Sequence, residues 1–196
     1  MFQKIILASG SPRRREIFRK LGINFQYITS EIEEKFDENL SVYEQVVKLA
    51  AMKAYKVANI YDEAFIVGAD TVVYLENKII GKPVDKVDAK NILKFLSGKM
   101  HEVITGVAIV NKREKIIERF YEKTEVYFKE LKDEFIDWYI ETEEPMDKAG
   151  AYGIQGIGSL LVEKIYGDYD NVVGLPAGRI FEIFGKLGIR PYGGLL

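Results

Sequence analysis

Nine residues, Phe65 to Val73 (FIVGADTVV), constrain the fold of this 196-residue chain more than any other stretch. Their apolar and β-branched side chains read as a strand at the centre of a sheet, except that Gly68, Asp70 and Thr71 stand inside the run. Burying an unpaired carboxylate costs several kcal/mol, so Asp70 needs a cation, hydrogen-bond donors or an exposed place at a strand end. An aspartate that caps or ties down a neighbouring loop is the plainer alternative. A functional aspartate is favoured because sites in α/β folds concentrate at strand termini.

Around that run the predicted elements alternate. Ile5 to Ala8 reads as a short buried strand, and Ser11-Pro12 as an N-cap with proline at the first helical position, opening a helix to Leu21 that Gly22 stops. Ser41 and Glu44 have the spacing of a capping box, and Val42, Val46, Leu49, Ala50, Ala54 and Val57 give a helical apolar stripe toward Ile60. Asn77 turns the chain toward Lys78 to Ile80, and a short helix is expected over Asp88 to Leu96. His101 to Val110 and Ile116 to Phe128 flank the polar turn Asn111 to Lys115 as a β-hairpin. Asp133 is placed as the cap of a short helix carrying Phe135, Ile136, Trp138 and Tyr139. Pro145 to Gly158 reads as a glycine-rich loop, Leu160 to Ile165 as a strand, and Pro176 as the opening of a last helix with Ile180, Phe181, Phe184 and Leu187 inward. Strands and helices that alternate irregularly and include hairpins predict an α/β fold with a mixed sheet flanked by helices, one domain over residues 1–196.

Composition narrows the function. No stretch approaches the roughly 18 consecutive apolar residues of a membrane span, and the apolar start before Ser9 is too short for a secretory signal, so a soluble cytoplasmic protein is expected. The absence of cysteine excludes disulfides, thiolate metal sites and cysteine nucleophiles, and a single histidine, His101, excludes a histidine cluster. Protein ligands to any metal must be oxygens, which favours magnesium or manganese. A net charge of -2 from 28 basic and 30 acidic side chains provides no global field for nucleic acid, so any basic site is local.

One such site is Ser9-Gly10-Ser11-Pro12-Arg13-Arg14-Arg15, between a strand and a helix start. Backbone N–H groups, the hydroxyls of Ser9 and Ser11 and several guanidinium forks converge there, as a polyphosphate requires. A capped helix with a solvated basic first turn is an equal alternative, although positive charge has the wrong sign for a helix N-terminus and needs compensation, which a bound anion supplies. Lys53, on the inward side of the second helix, and Lys82, in Gly81-Lys82-Pro83, matter collectively, because a triphosphate carries about four negative charges and no Walker-type loop is present. The glycines of Pro145 to Gly156 suit either a loop that brings backbone against a ligand or a tight chain reversal. His101 and Trp138 read as structural, and Glu33 and Glu34 as exposed charges unless one reaches a metal.

Taken together, LASGSPRRR, GADTVV, GKP, SGKMHEVITG, DKAGAYGIQG and NVVGLP resemble, in order and from Leu7 to about Leu187, the Maf family of nucleotide pyrophosphatases. The resemblance implies a mixed α/β fold of two lobes around a central cleft, similar to the inosine triphosphate pyrophosphatases, a homodimer, and a divalent metal cofactor, Mg2+ or Mn2+. It implies that Asp70 is the proton acceptor, and that Ser9, Arg14, Lys53 and Lys82 fall where substrate is bound, with Ser11 and Thr71 beside them. Glu34 matches an acidic position near the site and joins Asp70 as a candidate metal ligand. Within the family, an arginine after Ser-Pro and a glutamine in Gly-Ile-Gln-Gly mark the branch resembling dTTP and UTP pyrophosphatases, and this chain has Arg13 and Gln155 there. The branch acting on 7-methyl-GTP carries tryptophan and glutamate. Asp168-Tyr169-Asp170 departs from the more familiar Ser or Gly before Asn171.

The reaction this implies is attack of water on the α-phosphorus of dTTP or UTP, giving the monophosphate and pyrophosphate, with Arg14, Lys53, Lys82 and the metal neutralising charge. Asp70 is then a base, a metal ligand that orients water, or both. The amide of Gln155 can pair with O4 and N3 of uracil or thymine, but a half-turn fits cytosine equally. Arg13, which only donates, is expected to break that tie by facing a keto oxygen. A 7-methyl-GTP pyrophosphatase, a phosphatase acting on terminal phosphates, and a nucleotide-binding regulator of cell division without turnover are the competing readings.

Overall fold

The computed structural model describes residues 3–33, 35 and 37–191. In chain order the elements are β1 (Ile5–Leu7), α1 (Pro12–Arg19), β2 (Gln26–Tyr27), α2 (Val42–Ala58), β3 (Phe65–Leu75), β4 (Lys78–Ile80), α3 (Lys86–Leu96), β5 (Met100–Asn111), β6 (Ile116–Phe128), α4 (Asp133–Glu141), β7 (Val162–Tyr166), α5 (Tyr169–Val173) and α6 (Ala177–Lys186). Three 3-10 turns, Glu144–Asp147, Ala149–Ala151 and Gly156–Leu161, lie between α4 and β7. The strands pair in the order β2-β1-β3-β5-β6-β7, with β4 also on β3. β1 is parallel to both β2 and β3, whereas β4 and β7 run antiparallel to their partners, which gives the mixed sheet the sequence predicts. No helix among the described residues is long and apolar enough to cross a membrane.

The chain divides into two compact units. The first holds the chain up to Asp70, Thr105–Glu122 and the chain from Gly174 onward. Here β1 and β3 pair in the register Ile5 to Phe65, Ile6 to Ile66 and Leu7 to Val67. The predicted capping box starts α2: Glu44 N donates to Ser41 Oγ (3.3 Å), and Ser41 N donates to a Glu44 carboxylate oxygen (2.9 Å). Ala50, Ala54 and Val57 of α2 then pack on Ile6, Ile66, Ala108 and Val110. Two glycines allow that helix to lie so close. A Cβ at Gly68 would stand 2.3 Å from the Ala50 carbonyl oxygen, and one at Gly106 2.3 Å from the Val46 carbonyl, both backbone atoms that cannot yield. Phe18 of α1 meets Phe25 and Phe184 edge-on at 4.8 and 6.1 Å. On α6, Ile180 and Phe184 are buried as expected, while Phe181 and Leu187 are only half-buried.

The second unit, Thr71–Ile104 and Lys123–Val173, has its own core of Val73, Leu93, Leu96, Val126, Ile136, Tyr139 and Leu161 among others. Lys86, Lys90 and Lys94 of α3 pair with Glu141, Asp137 and Asp133 of α4, a reversed order that fixes the two helices as antiparallel. These pairs are solvent-exposed and serve register more than stability. His101 is a core residue, as predicted. Its Nε2 lies 2.7 Å from the Tyr152 hydroxyl, its ring meets Phe128 edge-on at 4.9 Å, and burial lowers its pKa to about 3.

Several boundaries differ from the sequence reading for local reasons. Asp85, not Asp88, sits at the start of α3, its carboxylate accepting from Asp88 N (2.8 Å). Asp133 is the first helical residue of α4 rather than its cap, which is Lys132 with no side-chain bond. Trp138 is 49% exposed and stands outside the core that Ile136 and Tyr139 enter. β2 and α5 are too short, at 2 and 5 residues, to carry a periodic pattern.

Two outcomes follow from this packing. Gly106→Ala drives a methyl into the α2 backbone, and overpacking of this kind is expected to cost about 2 kcal/mol or more, read as a lower midpoint of urea unfolding. His101 binds its proton only in the unfolded chain between its folded pKa of about 3 and the ordinary 6.5. The stability it contributes is therefore complete above about pH 6.5 and falls at up to about 1.4 kcal/mol per pH unit below it. Between pH 7 and 5 the unfolding free energy of the native chain should fall by about 2 kcal/mol more than that of His101→Gln; parallel curves would contradict the assignment.

Candidate active site

β1 stops at Leu7 while β3 continues, so the parallel ladder between them closes with Ala8 N donating to Val67 O (2.8 Å). Just beyond, the Ala69 carbonyl accepts from Arg14 Nη1 (2.9 Å), and Arg14 Nε donates to Gly174 O (2.8 Å). One guanidinium therefore ties the start of α1 to β3 and to the turn before α6. The helix start is built as its sequence predicts. Arg14 N donates to Ser11 Oγ at 3.4 Å, and Ser11 N donates to Ser9 Oγ at 3.2 Å. The first turn of α1 contains no acidic residue to offset its arginines. Carbonyl oxygens accept from Arg14, and the Tyr27 ring lies under Arg15 at 4.3 Å.

Asp70 follows Ala69 directly and is 6% exposed. Among the described residues no other Asp, Glu, Lys or Arg is so deeply buried. Lys53 Nζ lies 2.5 Å from Asp70 Oδ1, reaching it from α2. This is the cation that the apolar surroundings of Asp70 demand.

Lys53 also faces a cavity of about 270 Å³, lined by Ala8, Ser9, Gly10, Arg14, Ser30, Glu31 and Ile32 with it. Ser30 Oγ donates to Ala8 O (3.0 Å), and Lys56 Nζ donates to the Glu31 carbonyl, which fixes that part of the lining. Further along, the buried Gln45 amide donates to Lys35 O (3.0 Å) and accepts from Asp37 N (3.1 Å), tying that segment to α2. Two hydroxyls, a fixed guanidinium and an ammonium around one cavity suit an anion rich in oxygen.

Of the residues the sequence singles out, Ser9, Arg14 and Lys53 line this cavity, Asp70 is bonded to Lys53, and Ser11 caps the helix beside it. Arg13 is half-buried on α1. Glu34 lies outside the described residues. Thr71, Lys82 and Gln155 belong to the second unit, where Thr71 and Gln155 are half-buried and Lys82 is exposed. There Gly150 N donates to Gly81 O (2.9 Å), joining the glycine-rich loop to the turn that carries Lys82. Ser30 and Glu31 are absent from the sequence reading. Their position is set by β2, whose two exposed residues give no hydropathy signal, and only its parallel pairing with β1 brings the following residues to the end of β1.

The donor set fits a hard divalent cation. Every group on the cavity lining that can ligate is an oxygen, Glu31 is its acidic residue, and the Asp70 carboxylate adjoins it through Lys53. Among the described residues no group of three or more acidic or histidine side chains forms a metal cage. Magnesium commonly uses one or two carboxylates plus substrate phosphates and needs no such cage.

The sequence profile of the family described as Maf-like protein matches residues 4–187. The chain belongs to that family. Its relatives include a Bacillus cytotoxicus protein named dTTP/UTP pyrophosphatase, 49% identical over 178 residues that cover 91% of this chain and 92% of that one. A Bacillus anthracis protein of the same name is 51% identical over the same shares of each chain. Among solved structures, the Staphylococcus aureus Ham1 protein matches 82% of this Maf-like chain and 80% of its own, at 15% identity and a TM-score of 0.47.

The ion pair yields a stability test. Lys53→Ala strands the Asp70 carboxylate in an apolar setting and should cost on the order of 3 kcal/mol. In urea unfolding, Lys53→Met combined with Asp70→Asn should lose at least about 1 kcal/mol less than the sum of the two single changes; additive losses would show that the pair is not coupled.

Proposed function

We propose that the protein is a nucleoside triphosphate pyrophosphatase that hydrolyses dTTP and UTP to the monophosphate and pyrophosphate. The observation that carries this reading is Lys53, bonded to the buried Asp70, on the wall of a cavity that also presents Ser9 and Arg14. The names of relatives about half identical over nearly the whole chain support the choice of substrate. Family resemblance also supports a divalent-cation requirement, a cytoplasmic location and a homodimer.

In the proposed mechanism Arg14 is a preorganised phosphate ligand, because two carbonyls fix its fork before substrate arrives and no reorganisation is left for the reaction itself. Ser9 and its neighbouring backbone N–H groups bind phosphate oxygens. Lys53 has two anionic partners available in turn, the Asp70 carboxylate and the polyphosphate, so substrate entry releases part of its hold on Asp70. Asp70 then orients the attacking water and accepts its proton as the new oxygen–phosphorus bond forms and the bond to pyrophosphate breaks. A divalent cation, when bound, offsets phosphate charge and makes bound water more acidic; Asp70 is the described residue that would hold it, with Glu34 as the second ligand. Ser11, Arg13, Thr71, Lys82 and Gln155 complete the substrate-binding set, with Gln155 reading the pyrimidine edge and Arg13 favouring a keto oxygen.

Purified protein incubated with magnesium and, separately, UTP, dTTP, CTP and 7-methyl-GTP is expected to release pyrophosphate fastest from UTP and dTTP. Asp70→Asn should lower that rate about a thousandfold while retaining a native circular dichroism spectrum. Orthophosphate with nucleoside diphosphate would identify a terminal phosphatase, a preference for 7-methyl-GTP the other branch, and binding without either product a regulator.

A further inference from the structure

The 3-10 turn Gly156–Leu161 is capped by a residue from outside it. Gln155 occupies its N-cap position, with extended backbone at φ -90° and ψ 162°, yet its side chain makes no capping bond. At such positions a short side-chain oxygen ordinarily accepts from the second or third N–H of the turn. Those two N–H groups are instead held from a distance: Ile157 N donates to Glu144 Oε2 at 3.1 Å and Gly158 N to Glu144 Oε1 at 3.0 Å. Glu144 Oε1 also accepts from the Tyr139 hydroxyl at 3.0 Å, and that hydroxyl in turn accepts from Gly153 N at 3.4 Å. The backbone on both sides of Gln155 therefore rests on one carboxylate and one phenol.

The packing around this pair is tight enough to dictate sequence. A Cβ at Gly156, where φ is +62°, would lie 3.0 Å from Glu144 Oε2, and one at Gly158 would lie 2.2 Å from the Gly153 carbonyl oxygen and 2.7 Å from the Tyr139 hydroxyl. Tyr139 is fully buried, and burial with the adjacent Glu144 pushes its pKa above the usual phenol range, so it remains a donor at any working pH. Lys148 Nζ donates to the Glu144 backbone carbonyl, holding the residue from its other side. Three donors converge on the two oxygens of Glu144, a demand that an acceptor-only carboxylate meets and a carboxamide, with one oxygen and an NH2 group, does not.

We infer that Glu144 is a positioning residue for base selection: by capping the turn in place of Gln155 it leaves the Gln155 amide available to a pyrimidine and fixes the backbone from which that amide reaches. The inference rests on the reading of Gln155 as the residue that contacts the base. Tyr139 is its partner, since it links the capping carboxylate to Gly153 on the other flank.

The test is the ratio of kcat/KM for UTP to that for CTP, measured with magnesium on the native enzyme and on Glu144→Gln, Tyr139→Phe and Gln155→Ala. Glu144→Gln should lower the ratio about tenfold, mainly by raising KM for UTP while kcat falls less than threefold. Tyr139→Phe, which keeps the ring in the core, should move the ratio in the same direction by a smaller factor and serves where Glu144→Gln does not fold. Loss of activity on both substrates in equal proportion, with the ratio unchanged in both variants while Gln155→Ala alters it, would overturn the inference and leave only a structural role for the pair. A Gln155→Ala enzyme with the native ratio would remove the base-reading role of Gln155 and this inference with it.

Discussion

The bond between Lys53 and Asp70 organises the first unit. A carboxylate in the middle of β3 is tolerable only with a cation against it, and that cation reaches it from α2, seventeen residues earlier in the chain. For Lys53 to arrive, α2 must lie almost in contact with the sheet. Gly68 and Gly106 permit this by presenting no side chain beneath it, and Ala50 and Ala54 complete the fit from the helix side. The small residues around Asp70 thus belong to the electrostatic requirement as much as to the packing. Enlarging either glycine displaces the helix that neutralises the carboxylate.

A second consequence comes from strand length. β1 is only three residues long, and β3 continues for eight residues beyond Val67, so the Ala69 carbonyl needs a partner outside the ladder. Arg14 supplies it and fixes its own guanidinium in doing so. Two backbone carbonyls thus set where that guanidinium stands on the cavity lining. Lys53 reaches the same lining from α2 while bonded to the Asp70 carboxylate.

Much of this was legible in sequence because it depends on local chemistry. Ser11 before Pro12, and Ser41 with Glu44, announced the starts of α1 and α2, and each makes the predicted bonds. The carboxylate inside an apolar run at Asp70 implied a cation, hydrogen-bond donors or a strand end, of which Lys53 is the first, and six ordered motifs implied the family that the profile match then established. What stayed hidden depends on topology. β2 shows no alternation, so nothing announced that Ser30 and Glu31 would arrive beside Ser9. Trp138 is half-exposed while Ile136 and Tyr139 of the same helix face inward, because a short amphipathic stretch leaves helical phase poorly defined.

The capping of the turn after Gln155 shows how a departure from a local rule can carry functional meaning. Ser11, Ser41 and Asp85 each cap their own helix with their own side chain. A serine or aspartate at position 155 is short enough to do the same. Glutamine is a poorer cap, since its amide sits one methylene too far from the backbone it should bond. Keeping it requires Glu144, Tyr139 and two glycines to supply the bonds from elsewhere. Natural sequences break local rules chiefly where function demands it. Lys132 and Pro176 also open helices without a side-chain bond, so an uncapped start is not by itself a sign of function. The turn after Gln155 differs in that one distant carboxylate takes both its second and its third N–H, and on the proposed base-reading role this leaves the Gln155 amide to the substrate.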